Sequence, residues 1–183
     1  MDELKGEAIL PKKRHSISKT VRILMLLYLF GICQEVTKQE IKNRIGDEFC
    51  EKTISRDIAL IKQVGWNIRY SVRDKAYYET DEPREPKFPT GKKERQYIER
   101  IIRLYEVMFE LFYFMPNEPV DVWYEETFPN VSRRTMQRDF DIINSVFYEI
   151  NYYFEVKYKR KMGEWDNEKQ LPGYYYVMDG SWY

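Results

Sequence analysis

The strongest constraint on this chain is that it repeats itself. Thr53-Ile54-Ser55-Arg56-Asp57 returns as Thr135-Met136-Gln137-Arg138-Asp139, at a constant offset of 82. The apolar positions that follow keep the same offset: Ile54 with Met136, Ile58 with Phe140, Ile61 with Ile143, Val64 with Val146. Their spacing is that of one helix face. Whatever the first segment folds into, the second must be able to fold into as well. Upstream, Arg22-Ile23-Leu24 matches Arg103-Leu104-Tyr105 at offset 81, and Val36-Thr37 matches Val120-Asp121 at offset 84. Drifting offsets mean short loop insertions between two copies of one unit, and internal duplication accounts for the pattern.

A seam separates the copies. Asp81 to Gly91 reads DEPREPKFPTG, with three prolines, one glycine and no apolar period, which is linker composition. The expected organisation is a basic N-terminal arm at 1–17, a first unit at 18–80, a linker at 81–92 and a diverged second unit at 93–183. The arm carries Lys12, Lys13, Arg14 and the lone histidine, His15.

Within the first unit, Ser18 is placed to cap a helix reaching about Phe30, with Gly31 as its stop. Thr37 caps a short helix ending at Gly46. A third helix runs from about Lys52 to Val64, stopped by Gly65. Trp66 to Arg73 then alternates apolar and polar residues, as a half-buried strand does. Asp74 and Lys75 turn it back into Ala76-Tyr77-Tyr78-Glu79. The second unit has a long aromatic-rich helix over Glu94–Phe114, then the repeated helix. An alternating strand follows through Ile150, Tyr152, Phe154, Val156 and Tyr158, with a return strand at Tyr174–Val177. The aromatics of the long helix exceed one face, so either a core or a partner must cover the rest.

Three helices and a two-stranded hairpin are the winged helix-turn-helix plan. The expected fold class is α+β, mainly α, with that plan used in tandem. The first unit resembles the N-terminal DNA-binding module of DeoR-type and WYL-domain transcriptional regulators. The likeness rests on Val36-Thr37-Lys38-Gln39-Glu40-Ile41, on Lys52-Thr53-Ile54-Ser55-Arg56-Asp57-Ile58, on Gly65-Trp66 and on Tyr77-Tyr78. In the second unit Val131-Ser132-Arg133-Arg134-Thr135 is nearest to the family pattern. The resemblance implies a bacterial regulator. It also implies a C-terminal sensor domain, for which these 183 residues leave no room. Cys50 stands where the second unit has Ser132. A serine hydroxyl accepts a backbone N–H at a helix start, and a thiol does so poorly.

A helix fits the major groove of duplex DNA with its N-terminal residues at base edges. With Ile54, Ile58 and Ile61 turned inward, Lys52, Ser55, Arg56, Ala59 and Gln63 share the outward face. Lys52 and Arg56 suit phosphate or guanine, and Thr53 and Ser55 suit phosphate or a base edge. Asp57 falls near the inward edge and reads as a structural ion-pair partner. Arg69 and Arg73 lie on the polar side of the hairpin strand with Lys75 at its turn, suited either to phosphates or to protecting a sheet edge. The second unit offers Ser132, Arg133, Arg134, Gln137 and Arg138, but has Asp141 where the first has Ala59. Its long wing holds Lys157, Lys159, Arg160 and Lys161 before Glu164, Asp166 and Glu168. It is either a second DNA-binding head or a dimerisation unit.

Net charge supports the same division. Residues 10–78 carry 14 Lys/Arg against 7 Asp/Glu, and residues 79–183 carry 15 against 20. A basic half beside an acidic one points to a polyanion partner for the first. Two cysteines make no disulfide framework. With no secretory signal at the acidic N-terminus, they indicate a reducing cytoplasm. The greasiest stretch, Ile23 to Cys33, is about half of the roughly twenty residues a bilayer needs. No C-x-x-C, H-E-x-x-H, Walker loop or G-x-G-x-x-G occurs, so neither an enzyme nor a cofactor or metal site is expected. The expected partners are double-stranded DNA and a second copy of the chain, with two-fold assembly doubling the length read. The alternatives are a winged-helix interaction module that does not bind DNA, or a single-strand binder using the abundant tyrosines.

Overall fold

A computed structural model of the chain describes residues 17–46, 49–80, 84–113, 119–159 and 173–179. Among these it is α+β, with six helices and two small antiparallel sheets. The arm at 1–16, Phe114, the segment 160–172 with Arg160, Lys161, Glu164, Asp166 and Glu168, and Trp182-Tyr183 lie outside the described residues.

The first half starts with α1, Lys19–Ile32, whose N-cap Ser18 accepts the Val21 N–H at 3.3 Å. Gly31 does not stop this helix. It keeps a helical backbone beside the Trp66 ring, and the cap falls at Cys33. A short strand, β1 (Glu35–Thr37), leads into α2 (Lys38–Ile45). Thr37 and Glu40 form a reciprocal capping box: Oγ1 accepts the Glu40 N–H at 3.2 Å, and the Glu40 carboxylate accepts the Thr37 N–H at 2.7 Å. Helix α3 spans Glu51–Val64 and ends at Gly65 in the left-handed region, φ +119°. Strands β2 (Ile68–Ser71) and β3 (Ala76–Glu79) follow, and the sheet order is β1-β3-β2.

Two expectations need correction here. The alternating run from Trp66 to Arg73 is strand only over Ile68–Ser71. The Ser71 hydroxyl donates to the Asp74 carboxylate at 2.6 Å and Lys75 takes φ +54°, which turns the chain before Val72 and Arg73 can pair. Val72 is left at the tip, 81% exposed. Strand β1 also adds a third member to the sheet; three residues are too few to show alternation.

The second half runs α4 (Lys92–Tyr113), α5 (Val120–Thr127), α6 (Arg133–Glu149), β4 (Phe154–Lys159) and β5 (Tyr174–Asp179). Among the described residues the order of three helices followed by a two-stranded hairpin repeats. Strand β4 begins four residues later than its alternation suggests. Ile150 caps α6, and Asn151, at φ +56°, carries the chain round before pairing starts at Phe154.

The halves share one hydrophobic core. Every residue of α1 from Val21 to Leu27 is buried, so this helix has no solvent face along its middle. It packs on α2 and α3 on its own side and on α4 and α6 of the other half. Full burial of a leucine or isoleucine contributes about 1.5–3 kcal/mol, so Ile23, Leu24, Leu26 and Leu27, all at 0% exposure, weigh heavily. Two of the excess aromatics of α4 pack in the same place, while Phe109 and Tyr113 stay 38% and 53% exposed. Tyr105 meets Trp66 edge-on with ring centroids 5.0 Å apart, and Phe112 meets Tyr28 at 5.6 Å. The other half of the same chain thus covers part of that second stripe. The proline-rich segment is laid against α3: the Lys87 and Arg84 N–H groups donate to the carbonyls of Gln63 and Gly65 at 2.7 and 3.3 Å. A Cβ on Gly65 would come within 2.8 Å of the Arg84 carbonyl oxygen, which adds a steric reason for glycine at this left-handed cap. No helix among the described residues is long and apolar enough to cross a membrane.

Candidate functional site

The roll of α3 about its axis decides which side chains meet solvent. Ile54, Ile58, Ile61 and Val64 are buried at helical spacing, and Asp57 is buried among them. Asp57 receives the guanidinium of Arg22 from α1, through Nε and, at 3.3 Å, through Nη2. Arg22 also lies over the Phe49 ring, 4.4 Å from its centroid. A buried carboxylate with a fixed donor tolerates little rotation of its helix. The opposite face is thereby set outward: Lys52, Ser55, Arg56, Ala59 and Gln63 are all exposed. Among the described residues no acid engages Lys52 or Arg56. Glu51, the acid of the first turn, is taken up by Lys38 at 3.3 Å. Thr53 is half-buried, its hydroxyl 3.3 Å from the Cys50 sulfur.

The second half repeats this device. Asp139, fully buried on α6, accepts from Arg103 Nε of α4 at 2.9 Å and from the Tyr124 hydroxyl of α5 at 2.7 Å, with Arg100 Nε at 3.7 Å. Burial, then the bond to Asp139, holds the Tyr124 phenol well above its ordinary range. Arg22 and Arg103, like Asp57 and Asp139, are the residues matched by the sequence repeat, so the repeat encodes a conserved architecture within one chain. The outward face of α6 carries Arg134, Gln137, Arg138 and Asp141, all exposed. Ser132 and Arg133 are exposed as well and also serve the fold. Ser132 Oγ caps α6 by accepting the Thr135 N–H at 3.3 Å, and Arg133 reaches Asp121 at 3.4 Å. Asp121 in turn accepts the Tyr175 N–H at 3.1 Å, tying α5 to β5.

Arg69, Arg73 and Lys75 are exposed along the β2–β3 hairpin. The hairpin and α2 frame a depression of roughly 410 Å³ beside the start of α3, lined by Lys38, Gln39, Lys42, Tyr70 and Lys75 among others. Lys38 and Lys42 were not among the sequence candidates. They become so only because the hairpin closes on α2, a long-range approach that local pattern does not show.

The start of α3 differs from that of α6 as the sequence suggests. Cys50 makes no side-chain cap bond, whereas Ser132 does. The Thr53 hydroxyl holds the exposed Cys50 thiol below its ordinary range. Cys50→Ser should supply the missing cap and raise the thermal midpoint by a few degrees. An unchanged or lower midpoint in thermal unfolding would refute the capping argument.

Comparison with protein-family models, with curated proteins and with solved structures finds no match for this chain.

Proposed function

We propose that this protein is a sequence-specific double-stranded DNA-binding transcriptional regulator acting in the cytoplasm. Each half is a winged helix-turn-helix unit, the first resembling the DNA-binding module of DeoR-type and WYL-domain regulators and the second a diverged copy, with α3 and α6 as the recognition helices and the hairpins as wings. One observation carries the reading. The outward face of α3 holds two cations, a hydroxyl, a small residue and an amide, on a helix whose inward face is locked by a buried ion pair. The small Ala59 lets the helix backbone approach a groove floor. Lys52 and Arg56 supply the charge that base edges and phosphates attract. Arg69, Arg73, Lys75 and Lys42, with Lys38 shared with Glu51, extend this cationic surface toward flanking phosphates.

Such binding releases counterions. Affinity for duplex DNA should therefore fall linearly on a log–log plot against salt, by about −0.9 per phosphate neutralised. Fluorescence anisotropy across a salt series reads this slope. A flat response, or the absence of duplex binding, would move the assignment to a winged-helix interaction module. The exposed Tyr148 and Tyr153 beyond the α6 cations, at 79% and 84% exposure, are the feature of the second half that such a module would use.

A further inference from the structure

A single recognition helix reads only a few base pairs, and a second copy of the chain is the usual source of the other reading surface. The packing of this chain supplies one internally. The main helix contacts between the halves are α1 with α4, α1 with α6, and α3 with α4. Exchange the halves, α1 for α4 and α3 for α6, and this set returns to itself. An isologous, two-fold interface has self-complementarity of that kind. The buried Arg22–Asp57 and Arg103–Asp139 pairs occupy corresponding places in it, each joining the first and third helix of its half. On the solvent side the exchange relates exposed residues: Lys52 to Arg134, Ser55 to Gln137, Arg56 to Arg138 and Ala59 to Asp141.

We infer that the chain reads duplex DNA as a monomer, with α3 and α6 as the two arms of an internal, imperfect two-fold on a site made of two unlike half-sites. This rests on the DNA-binding reading above. The half-sites differ because the faces differ. A carboxylate at Asp141 repels phosphates and accepts a hydrogen bond from the cytosine amino group, where Ala59 offers only close approach. The α6 arm is therefore the weaker and more selective one.

The test uses the full chain and a duplex selected from a randomised pool. Titration at DNA concentrations well above Kd, with mass measured by sedimentation, is expected to give one chain per duplex. Hydroxyl-radical footprinting is expected to show two protected segments of unlike sequence. Arg134→Ala with Arg138→Ala should erase one segment and weaken binding about 10- to 100-fold, while Arg56→Ala should impair protection of the other. These residues are exposed, and circular dichroism checks that each variant folds. Two chains per duplex on a symmetric site would overturn the inference and leave the DNA-binding reading intact. So would a footprint indifferent to the α6 arginines. Absence of salt-sensitive duplex binding by the unaltered chain would overturn both.

Discussion

Asp139→Ala is expected to destabilise the protein by about 3–5 kcal/mol, the range for removing one partner of a buried ion pair. The carboxylate is fully buried and receives Arg103 and the Tyr124 hydroxyl. Removing it leaves a cation and a buried hydroxyl without their acceptor, and desolvation of those groups is no longer offset. Asp57→Ala should behave alike, since Arg22 is itself buried. Asp141→Ala is the control. It lies two residues away on the same helix but is exposed, and should fall within about 0.5 kcal/mol of the parent. Because the halves share a core, the loss should appear as one cooperative transition in urea, shifted whole. A second transition that leaves 18–80 folded would contradict the common core. Equal midpoints for the Asp139 and Asp141 variants would contradict the role given to the ion pair.

Arg56→Ala is expected to weaken duplex binding by roughly 1–3 kcal/mol while leaving the unfolding midpoint nearly unchanged. Arg56 is exposed and one residue from Asp57, so the pair separates two jobs on adjacent positions. Position 57 holds the helix, and position 56 uses the orientation so obtained. If Arg56 reads a base, its loss should relax preference at one position of the site. If it meets only a phosphate, all sequences should weaken alike and the salt slope should drop by about one. Duplex affinity indifferent to Arg56→Ala and Lys52→Ala, measured by anisotropy, would remove the basis of the proposed function.

Much of this was legible because helix ends and helix faces are local properties. Thr37 with Glu40, Gly46 and Gly65 mark boundaries by chemistry that acts within one turn. The outward set at Lys52, Ser55, Arg56 and Ala59 follows from a 3.6-residue period alone. What escaped reading depends on distance along the chain. Gly31 looked like a stop, but nothing there requires a left-handed backbone. The alternation from Ile150 to Tyr153 looked like strand, but it belongs to the end of α6 and the turn after it. The partner of Asp57 lies 35 residues upstream, and only the recurrence of Arg22 as Arg103 hints at it. Lys38 and Lys42 join the cationic surface through the approach of a hairpin, which no window of sequence contains. The surplus aromatics of α4 left open whether a core or a partner covers them, and the fold covers Tyr105 and Phe112 within the same molecule.

Positions 59 and 141 occupy matching places on the two outward faces yet are specified by separate codons. In an assembly of identical copies, one nucleotide change alters both reading surfaces together, and its target must change twice to follow. If the chain reads DNA as proposed, Ala59 and its counterpart Asp141 already differ, and either surface is free to drift toward a new target while the other keeps the old one.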